Sequence, residues 1–283
     1  MSAETICFTR DGKGEPLLLI HGIGSRREVW DPVIPAVRSE RNTFAVDLPG
    51  FNGTPLGDVV PTIEGYTDAL VKFCAEQGIG RPHVAGNSLG GAIAFELGKR
   101  GLARSVTAFA PIGFWGTSGL TWCQFSLRLF RRVGPSVQPA LPVLARAAVG
   151  RASAAGLFYG KPASLDRETV IADSKAFLSA PAFDAVCDAF GQYVFGEPGA
   201  LTSTPVTCVW GGRDLLLPYR TQARRARHAL PTARHLLLRG CGHVPFFDDP
   251  TSCGRILLGR WPACGCGVDV RSRSICAASA VDA

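Results

Sequence analysis

The chain has 283 residues, 46% of them hydrophobic, with a mean hydropathy of +0.15 and a formal net charge of +7. These values exclude a disordered chain, and at roughly 300 residues a fold buries about three quarters of its unfolded surface, so core size sets no limit. No apolar run approaches the roughly 20 residues that span a bilayer, and the opening MSAETICFTRDGKGEP lacks the apolar centre of an export signal, so a soluble cytoplasmic protein is expected.

In chain order, PLLLIHG (16–22) and NTFAVDLPG (42–50) are apolar runs that end in glycine-bearing turns, which predicts two strands. TIEGYTDALVKFCAEQGIG (62–80) places Ile63, Tyr66, Leu70, Phe73 and Cys74 at helical spacing, with Gly78 as a stop. RPHVAGNS predicts a strand, LGGAIAFELGKR a helix and RSVTAFAP (104–111) another strand. The alternation resumes with TPVTCVWGG (204–212), PYRTQARRARHAL (218–230), ARHLLLRG (233–240) and DPTSCGRILLGR (249–260). Apolar strands alternating with helices predict an α/β fold, a mostly parallel central sheet flanked by helices.

Residues 112–203 break this rhythm, with helical periodicity and no clear strand. They are expected to form a helical cap inserted late in the sheet, above the strands' C-terminal ends, so that residues 1–111 and 204–261 make the core. The stretch 262–283, rich in small residues and without periodicity, is expected to be a flexible tail.

The basic clusters Arg131–Arg132 and Arg224–Arg225–Arg227 lie in helical stretches without interleaved aromatics. They are expected to be solvated helix faces, with no nucleic-acid or membrane partner. The ten cysteines are scattered and form no CxxC pair, so neither a zinc site nor a redox motif is expected. Cys74 and Cys208 fall in apolar runs as small hydrophobes. Cys241 is expected to pack, and the Cys264-x-Cys266 pair to belong to the tail rather than to a metal site.

Four separated pieces point to one chemistry. Gly86-x-Ser88-x-Gly90 sits between a strand and a helix, where small residues permit a tight turn and the helix N-terminus lies under the serine. Ser88 is either a nucleophile lifted to the top of the sheet or an ordinary helix cap. A nucleophilic serine needs a base, and among the five histidines His243 alone lies in a glycine-rich loop, RGCGHVPFFDDP, between the last strand and the last helix. Asp214, just beyond the turn in CVWGGRDLLLP, can orient that imidazole. The turn after PLLLIHG presents backbone N–H groups, and Ile23 N–H with Leu89 N–H would form an oxyanion hole. His21, fixed within that turn, is given a structural role.

Over about residues 5–260 the chain resembles the α/β-hydrolase fold superfamily. It has the HGxG loop, the DLPGFNGT turn, the GNSLGG elbow, GGRD and GCGHVPFFDDP in the same order. The resemblance implies Ser88 as nucleophile, His243 as general acid and base, Asp214 as its partner, a helical cap, and chemistry that needs no metal or organic cofactor. Haloalkane dehalogenases and epoxide hydrolases of this fold place aspartate where this chain has Ser88. Carbon–carbon bond hydrolases of ring-cleavage pathways usually have HGxGPG, whereas Gly24 is followed here by Ser25, Arg26 and Arg27. The expectation is a serine hydrolase, a carboxylesterase or lactonase, acting on a small, largely apolar ester or lactone. Carbon–carbon hydrolysis, perhydrolase side activity and a slow-turnover small-molecule receptor or interaction protein on the same fold remain open. Trp115 is a candidate wall of the substrate pocket.

Overall fold

The computed structural model describes residues 6–260 and the strand Val268–Val270. Eight strands form one sheet, in the order β1-β3-β2-β4-β5-β6-β7-β8. They are β1 (Phe8–Gly12), β2 (Glu15–Ile20), β3 (Arg41–Val46), β4 (His83–Asn87), β5 (Ser105–Phe109), β6 (Val206–Gly211), β7 (Arg234–Leu238) and β8 (Val268–Val270). The six inner strands run parallel, and β1 and β8 pair antiparallel at the two edges.

The strand β1 is absent from the expected elements, and its composition explains why. Beyond Phe8 it exposes Thr9, Arg10, Asp11 and Gly12, so it carries no apolar run to find. The stretch expected to be a flexible tail holds β8; the rest of that stretch, with Cys264 and Cys266, lies outside the described residues.

Ten α-helices are described: α1 (Ile34–Val37), α2 (Ile63–Glu76), α3 (Leu89–Lys99), α4 (Thr117–Val137), α5 (Leu141–Leu144), α6 (Ala148–Ala155), α7 (Arg167–Ser179), α8 (Phe183–Ala189), α9 (Tyr219–Ala229) and α10 (Pro250–Leu257). Helix α2 illustrates how local chemistry sets the bounds. The Thr62 side chain accepts from Gly65 N–H at 3.1 Å as N-cap. At the other end Gly78 takes a φ of 62°, which lets Ile79 N–H reach Cys74 O at 2.8 Å and close a Schellman turn. Five helices, α4 to α8, fill the interval between β5 and β6, and no strand occurs there.

Successive residues of a strand face opposite sides of a sheet, and β2 divides accordingly. Leu18 and Ile20 join the core under α2 and α3, with Leu70, Phe73, Ile93 and Phe95. Leu17 and Leu19 join the opposite core, with Trp30, Val37, Leu236 and Ile256. There Trp30, Phe109 and Phe246 form one aromatic cluster, with Trp30 and Phe246 centroids 4.1 Å apart. Through it, the segment after β2, the end of β5 and the loop after β7 share one packed support.

His235 on β7 is buried; its Nε2–H donates to Leu230 O at 3.1 Å and its Nδ1 has no partner. Burial pulls its pKa down from 6.5 to about 4. Between those values the unfolded chain binds a proton that the folded chain excludes, so stability falls as pH drops through that window. At 1.36 kcal/mol per pKa unit, on the order of 2–3 kcal/mol should be lost between pH 7 and 4.5. Urea unfolding should show a smaller acid loss for His235→Leu than for the wild type, His21 supplying part of what remains because burial lowers it in the same direction. Equal losses would contradict this.

Candidate active site

Because β2, β4, β6 and β7 are parallel, the segments leaving their C-terminal ends collect at one end of the sheet. Those segments carry Gly22–Ser25, Ser88, Asp214 and His243.

Ser88 occupies a tight turn that depends on the glycines at 86 and 90. Its φ is 56°, in the left-handed region that a serine rarely adopts, a strain on the order of 1–3 kcal/mol. A Cβ on Gly86 would lie 2.0 Å from Gly90 O, and one on Gly90 would lie 2.2 Å from Ile20 O, so both positions require glycine. The backbone fixes the turn: Ser88 N–H donates to Phe109 O at 2.9 Å, and Ser88 O accepts from Ala92 N–H at 3.2 Å. The Ser88 side chain makes no capping hydrogen bond to α3, although it precedes that helix. The cap reading therefore does not describe this serine.

His243 and Asp214 are both buried, and His243 Nδ1 lies 2.8 Å from Asp214 Oδ2. A carboxylate only accepts, so Nδ1 carries the proton and Nε2 is left as the basic lone pair. The other carboxylate oxygen, Oδ1, accepts from Leu216 N–H at 2.9 Å and Leu217 N–H at 2.7 Å. Three hydrogen bonds thus fix the Asp214 carboxylate, and the leucines after it serve as its backbone donors.

A cavity is lined jointly by Gly22, Ile23, Ser88 and His243 and by residues of α4, α6 and α7. Leu89, buried, opens α3, where the first N–H groups of a helix have no acceptor within it. Trp115, expected as a pocket wall, is not among the lining residues. Its indole N–H donates to Tyr193 O at 3.2 Å and its ring packs on Phe190 with centroids 5.5 Å apart, so it sits in the core instead. An indole needs both an apolar bed and an acceptor, and it finds both there.

Several positioning contacts escape sequence reasoning. Asn87 Nδ2 donates to Phe109 O at 3.1 Å and to His243 O at 3.0 Å, linking the Ser88 turn to the histidine loop. The Asp248 carboxylate accepts from Gly160 N–H, Lys161 N–H and Gly242 N–H at 2.7–2.8 Å, tying the helical insertion to the same loop. Asp47, buried, accepts from Arg27 N–H at 2.8 Å, from the Arg27 guanidinium and from Asn52 Nδ2 at 2.9 Å. His21 Nε2 accepts from Leu48 N–H at 3.0 Å, and its Nδ1–H lies 2.7 Å from Gly22 O; burial lowers its pKa and keeps it neutral. His21 and Asp47 thereby lock the loop after β2 to the turn after β3.

One polar corner of the cavity belongs to the insertion. Asp173 of α7 accepts from Tyr159 OH at 2.5 Å and from Arg26 Nε at 2.9 Å, and burial raises its carboxyl pKa. No feature of ASLDRETVIADSK distinguishes Asp173 by sequence, because its partners come from two distant segments.

Cys241, two residues before His243, is buried, and its thiol is pushed up to about 12 by that burial, so it packs rather than reacts. Cys74 and Cys208 are likewise buried, their thiols raised to about 11 and about 12. Arg131, expected on a solvated face, instead donates to Phe177 O and Ala180 O at 2.6 and 2.9 Å, binding α4 to the end of α7. Among the described residues no group of three or more His, Cys, Asp and Glu is placed to hold a metal ion, and no helix is long and apolar enough to cross a membrane.

Residues 17–253 match the profile of the alpha/beta hydrolase family. The epoxide hydrolase EphH of Mycobacterium tuberculosis is 33% identical over 200 residues, covering 67% of this chain and 88% of that protein. A pimeloyl-[acyl-carrier protein] methyl ester esterase of Aromatoleum aromaticum is 24% identical over 85% of this chain and 96% of its own. Among solved structures, a thermophilic esterase from Thermogutta terrifontis superposes with a TM-score of 0.65 at 21% identity, over 90% of this chain and 92% of that one. The enol-lactonase of Burkholderia xenovorans LB400 gives 0.66 at 18% identity, over 90% and 94%.

Proposed function

The chain belongs to the alpha/beta hydrolase family, and on that premise we propose that it is a serine hydrolase cleaving a largely apolar ester or lactone through an acyl-Ser88 intermediate. The observation that carries this reading is the strained Ser88 turn, free of capping duty, facing the same cavity as an imidazole whose Nδ1–H is held by Asp214.

His243 Nε2 takes the Ser88 Oγ proton as Oγ attacks the carbonyl carbon. The oxyanion that develops is met by Ile23 N–H and Leu89 N–H, donors that are already oriented and need no reorganisation. Asp214 stabilises the imidazolium without itself being protonated. The imidazolium then gives its proton to the departing alkoxide, and the alcohol leaves. Water, deprotonated by the same imidazole, attacks the acyl carbon, releasing the acid and restoring Ser88 Oγ–H. The helical insertion acts as a cap whose α4, α6 and α7 exclude bulk water from these steps.

The EphH relative raises epoxide opening as a competing chemistry. Attack by a serine on an epoxide carbon would leave an ether, which water does not readily cleave, whereas an aspartate would leave a hydrolysable ester. Ser88 therefore favours acyl transfer.

A panel of p-nitrophenyl esters, lactones, ring-cleavage dienoates and a styrene oxide probe tests the reaction class. Multiple turnovers on esters or lactones are expected, with little on the dienoate and none on the epoxide. Turnover confined to the dienoate or the epoxide, or a single slow turnover on every ester, would overturn the reading.

A further inference from the structure

The catalytic cavity is small, about 60 Å³. On the outer side of the insertion lies a groove of about 430 Å³, built from α4, α5, α6 and α7. The two are contiguous: Phe130, Ala154 and Ser174 line both. Phe130 stands at this junction, edge-on to Phe158 and Phe177 with centroids 5.4 and 5.1 Å away.

The groove's chemistry is one-sided. Val133, Val137, Leu144 and Val149 line it and remain solvent-exposed, Val149 by 73% and Val133 by 50%. Its polar side chains are Gln138, Ser153 and Ser174, and the Ser153 hydroxyl already donates to Val149 O at 3.0 Å. Val133 and Val137 continue an exposed apolar stripe of α4 that begins at Trp122, Phe125 and Leu129. A contiguous exposed apolar surface on a folded chain marks a place where an apolar ligand or partner sits, and no charged side chain lines this groove to recognise a polar one.

We propose that this groove receives the distal part of a linear acyl chain whose carbonyl lies over Ser88, so that the substrate class is medium- to long-chain acyl esters. The occupant follows from the continuity with the catalytic cavity. That cavity is small, and a chain that leaves it past Phe130, Ala154 and Ser174 enters the apolar groove directly. The inference rests on the hydrolase reading for its chemistry, but the groove's preference for alkyl chain does not.

Two readouts separate the two ideas. First, kcat/KM is measured for p-nitrophenyl acetate, butyrate, octanoate and decanoate. Full burial of a methylene at about 0.8 kcal/mol corresponds to about fourfold per carbon. A half-open groove should therefore raise kcat/KM at least about tenfold from butyrate to decanoate. Ser153→Phe, which fills the groove, and Val137→Asp, which puts a charge in it, should each lower the decanoate-to-acetate ratio about tenfold or more. Two chemically different changes guard against one variant failing to fold. Second, decanoate itself is titrated by calorimetry, which needs no turnover; both variants should bind it at least about fivefold more weakly.

A wild type that prefers acetate, or variants that leave both the ratio and decanoate binding unaltered, would overturn the groove proposal while leaving the hydrolase reading intact. Decanoate binding weakened by the variants in a protein that turns over no ester would support the groove and sink the hydrolase reading.

Discussion

Replacing Ser88 by alanine should lower kcat on the best ester by about 10⁴- to 10⁶-fold, the range typical when a serine nucleophile of this kind is removed. The fold should be unaffected, for reasons visible in the turn. The Ser88 side chain makes no capping bond to α3, and the bonds that fix the turn are made by its backbone, which alanine retains. Alanine adds no strain that serine lacks at a φ of 56°. The thermal midpoint should therefore stay within a few degrees while activity disappears. A variant that keeps a tenth of its activity would show that the nucleophile lies elsewhere.

Replacing Asp214 by asparagine should reduce kcat by about 10⁴-fold, through the tautomer of His243 rather than through the fold. The amide oxygen can keep the two backbone bonds now made by Oδ1, from Leu216 and Leu217 N–H. That leaves the amide –NH₂ facing His243 Nδ1, where Oδ2 now sits. Two donors cannot share that bond, so the imidazole moves its proton to Nε2 and loses the lone pair that the proposed general base needs. Alanine at 214 should behave differently: it removes the acceptor of His243 Nδ1–H and leaves the buried Leu216 and Leu217 N–H groups unpaired, at about 1–3 kcal/mol each, and so costs stability as well as rate. The comparison is read by kcat and urea unfolding together. An asparagine variant with near wild-type kcat would assign the orienting acid to another residue.

The central strands are legible in the sequence because parallel strands buried on both faces are short continuous apolar runs, as in PLLLI and VTCVW. Helix ends are legible where a single residue type decides them, as Thr62 and Gly78 do for α2. The edge strand β1 is not, because an exposed strand needs no apolar run: Phe8 alone packs inward, on Phe73, and the rest is held by pairing with β3.

The same contrast governs the site. Glycines, a serine and a histidine at the ends of strands mark Ser88, Asp214 and His243, since the turn chemistry is local even though the residues are 29 to 155 positions apart. Asn87, Asp47, Asp248 and Asp173 act through partners whose proximity exists only after folding; Asn87 reaches across 156 positions to His243 O. Trp115 shows the converse failure. An aromatic at the start of the insertion suggests a pocket wall, yet the acceptor that decides its place, Tyr193 O, lies 78 positions away.

Whether Ser88 is the nucleophile is tested most directly by covalent trapping. The wild-type chain is treated with diethyl p-nitrophenyl phosphate, and the modified residue is mapped by peptide mass spectrometry, beside His243→Ala treated identically. A single diethylphosphoryl adduct is expected on Ser88 of the wild type, and none on His243→Ala. An adduct on any other residue, normal labelling of His243→Ala, or ester turnover by a chain that takes no label would contradict that expectation.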